Sequence, residues 1–115
     1  MNSLTFDSVT LSTKDKQFIL PDHSCNNPDY QKVEIKNYAV LQKIIIGNDC
    51  FTSVTKVLIA KCNSLEEIVI GSNSFIYPYC KSCIISTCKN LKTIHLKEGA
   101  LKYVNTLTIR GFEWI

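Results

Sequence analysis

No stretch of the 115-residue chain approaches the ~18–20 consecutive apolar residues that cross a bilayer as a helix. The opening MNSLTFDSVTLSTKDK has no positive start followed by an apolar run, so a secretory signal is not expected there. No Asn-x-Ser/Thr acceptor occurs, and no glycine loop of the kind that cradles phosphate. Asp22, Asp29, Asp49, Glu66 and Glu67 are scattered, so no carboxylate pair suits acid–base work. The lysines never form a run, and a formal charge of +3 leaves no electrostatic footprint for nucleic acid. The expectation is a cytoplasmic, non-enzymatic protein without cofactor, nucleic-acid partner or membrane partner.

What is present is a repeat. Apolar residues make up 45% and charged residues 20%, which suits one domain with a real core. Apolar triplets begin at Val33, Ile44, Val57, Ile68, Cys83, Ile94 and Leu107, in steps of 11, 13, 11, 15, 11 and 13 residues. Alternating short and long steps mean that each repeat of 24 to 26 residues carries two short strands.

The alignment reaches beyond the triplets. The first half-repeat begins at Tyr30 (YQKVEIKNYAVL), Val54 (VTKVLIAKCNSL), Cys80 (CKSCIISTCKNL) and Val104 (VNTLTIRGF). The second reads LQKIIIGNDCF from Leu41, LEEIVIGSNSF from Leu65 and LKTIHLKEGAL from Leu91, with Gly47 and Gly71 at the turn. A three-residue strand turns two side chains inward and one outward, and one unit alone cannot bury its apolar face. Stacked units turn equivalent residues into ladders: Val33, Val57, Cys83, Leu107; Ile35, Ile59, Ile85, Ile109; Ile44, Ile68, Ile94; and Ile46, Ile70, Leu96. Phe51, Phe75 and Leu101 fill the space behind the second strand. The stacking also sets Lys43 beside Glu67 and Glu66 beside Lys92, opposite charges across neighbouring rungs.

These features predict a β-rich solenoid of about three and a half units over residues 30–115, behind an N-terminal cap or irregular first repeat over 1–29. In the cap, SVTL at 8–11 and QFIL at 17–20 read as strands around a polar turn. The L-x-x-I-x-I core, the two-strand period and GSNSF at 71–75 resemble leucine-rich repeats, and among these the BspA-like, surface-antigen-like type. The resemblance spans 30–112. It implies a protein-contact scaffold whose specificity lies in surface residues of the repeats.

The CxxC of Cys80 and Cys83, with Cys88 five residues on, raises a zinc module as the alternative function. The second ligand pair is missing. A redox CxxC needs a helix N-terminus, whereas IIST reads as strand. In the ladders Cys80 joins Tyr30, Val54 and Val104, Cys83 joins Val33 and Val57, and Cys88 joins Tyr38, Cys62 and Phe112. A buried thiol there acts as a small hydrophobe. No metal ligands are therefore assigned. Cys50 precedes Phe51 as Ser74 precedes Phe75, which reads as a tolerant turn position. His23 and Cys25 in PDHSCNNPD read as loop.

The outward strand positions carry the functional expectation. One row runs Glu34, Leu58, Ile84, Thr108 and the other Ile45, Val69, His95. Leu58, Ile84, Ile45 and Val69 form an apolar surface of the kind that marks a contact site, and Lys32, Lys56, Lys61 and Lys81 make its rim basic. Trp114 stands in the closing RGFEWI, where an unpaired edge invites continuation as one piece of a longer solenoid or assembly, self-association or another chain. The expected contact residues are Ile45, Leu58, Val69, Ile84, His95 and Trp114.

Overall fold

Ten short strands carry the described residues, 2–111, of the computed structural model, with no α-helix among them. They are β1 (Ser3–Phe6), β2 (Val9–Ser12), β3 (Gln17–Leu20), β4 (Lys32–Lys36), β5 (Lys43–Ile46), β6 (Lys56–Ala60), β7 (Glu67–Ile70), β8 (Ser82–Ser86), β9 (Thr93–Leu96) and β10 (Thr106–Arg110). Trp114, Phe112 and Ile115 lie outside the described residues.

The chain winds as a β-solenoid. Strands β4, β6, β8 and β10 stack in parallel as one sheet, and β3, β5, β7 and β9 as the other. Every ladder expected among residues 33–109 is formed, for example Val57 between Val33 and Cys83, and Ile68 between Ile44 and Ile94. Inward positions of the middle rungs are buried, whereas the central outward ones are only half-covered by their row neighbours. Each inward Ile, Val or Phe removed from water contributes about 1.5–3 kcal/mol, and no coil keeps that without the next.

QFIL proves to be a regular rung. β3 pairs with β5 in full register, setting Phe18 on Ile44 and Leu20 on Ile46. Its copy is hard to see because Pro21 replaces the corner glycine and Cys25 takes the place of Phe51, Phe75 and Leu101. All four of those residues have positive φ, between 55° and 60°. Cys25 is consequently core, with 1% of its surface exposed, rather than loop.

The corners carry the ladder as well. Asn37, Lys61 and Thr87, one per coil, have φ between 55° and 67°, and their N–H groups bond to Ala60, Ser86 and Arg110 of the next coil at 3.0–3.2 Å. On the other side, Phe75 and Leu101 donate to Cys50 and Ser74 of the preceding coil at 3.0 and 2.9 Å. A left-handed bulky residue is costly alone. At Asn37, Lys61, Phe75, Thr87 and Leu101 these inter-coil bonds hold it in place.

The N-terminal end is closed by the antiparallel hairpin β1–β2. Its Phe6 and Leu11 are buried in the core, and Phe6 meets Phe51 edge-on at 5.0 Å. Asp7 ties the hairpin down: its Oδ2 accepts from the Cys25 N–H at 2.7 Å, and the Tyr30 hydroxyl donates to its Oδ1 at 3.3 Å. The charge pairs Lys43/Glu67 and Lys92/Glu66 confirm the register as neighbours. They do not close into ion pairs among the described residues, where Lys32–Glu34, at 3.0 Å, and Lys36–Glu34 do, and His23 Nδ1 lies 3.1 Å from Asp49 Oδ2.

A candidate contact surface

Strand alternation and parallel register dictate what the second sheet shows on its outside. Successive coils place Ile19, Ile45, Val69 and His95 in one outward row. Ile19 is 51% exposed, Ile45 and Val69 are half-buried, and His95 is exposed. The row is one rung longer than the triplets suggested, because Ile19 belongs to β3. It is apolar for three rungs and rigid, since each residue sits on a paired strand. Beside it runs Gln17, Lys43, Glu67, Thr93, polar and of mixed charge.

The first sheet differs. Its central row is Glu34, Leu58, Ile84, Thr108, with Leu58 and Ile84 half-buried between polar ends. Lys32 and Lys56 flank it on one side, Lys36 and Arg110 on the other. Lys32 beside Glu34 holds that carboxyl below the usual carboxylate range. Lys61 and Lys81 are exposed at the rim. Five of the six expected contact residues thus divide between the two sheets, and Trp114 lies outside the described part. They do not converge on one spot.

A third feature escaped the triplet analysis. At the corner between the sheets Tyr79, 71% exposed, lies against Tyr77 with ring centroids 5.5 Å apart. One coil on, Tyr103 has Lys102 Nζ 5.5 Å and Lys81 Nζ 5.9 Å from its ring centre. The signal was available: Tyr-Pro-Tyr at 77–79 stands one 24-residue period before Tyr103.

The thiols are buried and unpaired. All six cysteines are free, each with 1% or less of its surface exposed. Burial raises Cys83 to about 12 and also raises Cys80 and Cys25. Cys62 and Cys88 are ladder neighbours, and the interaction between the two thiols raises Cys62 and lowers Cys88. Among the described residues no group of three His, Cys, Asp or Glu side chains gathers as a metal ion requires. Cys80 and Cys83 face the core from one coil, and Cys88 belongs to the ladder beyond the corner.

Cys50 and Ser74 correct the reading of their position as tolerant. Both are fully buried. Ser74 Oγ donates to the Gly47 carbonyl at 2.7 Å and accepts from the Cys50 N–H at 3.0 Å, joining two coils. No sequence pattern distinguishes a corner facing inward from one facing water.

Comparison with protein families, with curated proteins and with solved structures found no match. No helix among the described residues is long and apolar enough to cross a membrane.

Proposed function

We propose that this solenoid is a non-catalytic scaffold for protein–protein contact, with the leucine-rich-repeat-like character that its L-x-x-I-x-I units suggest. The observation that carries the reading is the outward row Ile19–Ile45–Val69, three aliphatic side chains in register on a rigid sheet. An apolar row with a polar margin is what a partner desolvates at the centre of an interface. The opposite sheet, with Leu58 and Ile84 inside a lysine frame, suits an acidic partner, and the electrostatics act mainly on the rate of encounter. Six unpaired, buried thiols support a reducing compartment, the cytoplasm.

The alternative, a zinc module through Cys80, Cys83 and Cys88, has no comparable support, since the three thiols serve as core residues in separate ladders. Metal content of the purified protein decides this point: no zinc and six titratable thiols are expected after denaturation.

The scaffold reading is tested with a photo-crosslinking residue at Ile45, against a control at Asn63 on an exposed corner. A defined adduct at Ile45, absent at Asn63 and lost on Val69→Lys, is expected. Equal labelling at both sites overturns the assignment of the row.

A further inference from the structure

The outer face of the first sheet is charged unevenly. Strands β4, β6 and β8 read KVEIK, KVLIA and SCIIS, and of the ten acidic residues in the chain only Glu34 lies on them. That carboxylate is already engaged, with Lys32 Nζ at 3.0 Å and Lys36 Nζ at 4.0 Å from its oxygens. Lys56, paired with Lys32 one rung on, and the exposed rim residues Lys61 and Lys81 have no carboxylate at that distance among the described residues. Lys81 Nζ rests 5.9 Å from the centre of the Tyr103 ring, which holds the ammonium at the rim without neutralising it. Among these cations Leu58 and Ile84 are rung neighbours, both half-buried. Each has a paired strand on either side, so the face is complete within the described coils.

We propose that this face docks an acidic segment of a partner protein. The segment lies extended along the strands, with an aliphatic side chain over Leu58 and Ile84. Carboxylates two or three residues to either side of it meet Lys56 and Lys81 at one margin and Lys61 at the other. The inference rests on the scaffold reading and names the partner chemistry of its second face.

Spacing and polarity carry it together. An extended chain advances ~3.3 Å per residue, so Lys56 starts ~6.6 Å before Leu58, and Lys61 stands up to ~10 Å beyond it. A second extended chain laid alongside has the same spacing, and its carboxylates reach both margins from one aliphatic residue. Desolvating Leu58 and Ile84 supplies the centre of the contact, and the rim charges select the partner and speed its encounter. Other polyanions match less of the face. Single-stranded nucleic acid stacks on aromatic side chains, and β4, β6 and β8 have none. Duplex phosphates give the aliphatic pair nothing to meet. A membrane takes apolar side chains that reach into its headgroup boundary, whereas Leu58 and Ile84 are half-covered by their own row.

The test offers the immobilised full chain a displayed library of random peptides. Selection is expected to enrich peptides in which an aliphatic residue has Asp or Glu two or three positions away on both sides. Lys61→Glu with Lys81→Glu, both on exposed side chains, is expected to weaken the best of these about tenfold at low salt, with the circular dichroism unchanged. Lys14→Glu with Lys43→Glu makes the same change in net charge away from this face and is expected to leave binding as it was. Ile84→Thr, which keeps a β-branched residue on the strand, is expected to weaken binding without touching a charge. No enrichment, enrichment without acidic residues, equal loss from both charge pairs, or indifference to Ile84→Thr overturns the proposal. Tighter binding of oligothymidylate or of phosphatidylserine vesicles than of the selected peptide overturns it too. A failed selection beside a defined Ile45 adduct leaves the scaffold reading intact; acidic peptides selected without that adduct uphold this face and remove the Ile45 row.

Discussion

Gly71 lies directly on Gly47, one coil apart, so closely that a Cβ on Gly71 would run into the Gly47 carbonyl group. Gly47 in turn sits on Pro21 and Asp22, where an added Cβ would approach their backbone to 2.7 Å. Neither position has the positive φ that usually explains a glycine. Close packing of one coil's backbone on the next is the reason. Because backbone rather than a movable side chain is struck, Gly71→Ala is expected to cost at least the ~1–3 kcal/mol typical of overpacking. Its urea midpoint should fall well below that of the parent chain; an unchanged midpoint would mean the coils are looser than described.

Ser74 joins the same two coils by a different means. Removing its hydroxyl leaves the Cys50 N–H and one Gly47 carbonyl lone pair in a buried corner without that partner. Ser74→Ala is expected to destabilise by about 1–3 kcal/mol. Amide exchange at Cys50 reports it directly, and protection there should drop more than in β8.

Tyr38 works in the opposite direction. Its hydroxyl is buried and finds no hydrogen-bond partner among the described residues, and burial raises the phenol above its ordinary value. An unpaired buried hydroxyl costs free energy that Phe avoids. Tyr38→Phe is therefore expected to be neutral or to stabilise by up to about 1 kcal/mol. Loss of stability in a denaturation series would show that the hydroxyl has a partner after all.

The thiols give the fold an alkaline limit. In the unfolded chain they ionise near ~8.5, whereas burial holds Cys83 protonated up to about 12 and raises Cys25 and Cys80 too, and the neighbouring Cys88 thiol together with burial raises Cys62. The unfolded state thus loses its protons first. The stability these groups contribute is full below ~8.5 and is lost as pH rises from there toward the folded value. Cys88, lowered by its interaction with Cys62, has the opposite sign: its contribution is lost as pH falls through its folded value. Urea midpoints measured from neutral pH upward should decline above pH ~9. Cys83→Val, which copies Val57 of the adjacent rung, should decline less steeply. Parallel curves for the two proteins would remove Cys83 from the account.

The solenoid was legible because its period is written in residues that cannot be exchanged for polar ones. Val33, Val57 and Cys83, or Ile44 and Ile68, repeat at the interval one coil requires, and strand alternation then fixes which neighbour faces water. β3 was less legible, since Pro21 and Cys25 stand where the repeat elsewhere has glycine and phenylalanine. β1 was not legible at all. SLTF is a strand only because VTLS returns alongside it and Phe6 finds the end of the core.

The outer rows follow from sequence as soon as the register is known, which is why Ile45, Leu58, Val69, Ile84 and His95 were placed on the surface from the triplets alone. Their division between the two sheets belongs to the winding of the chain. Sequence by itself determined the repeat, the inward ladders and the packing role of the cysteines, because periodic burial leaves a local, countable pattern. Only the tertiary structure decided that Ser74 bonds across coils, that two lysines gather over Tyr103 at one corner, and that Phe6 of the hairpin packs against Phe51. Those depend on which groups from distant coils come within bonding distance, and no local pattern encodes that.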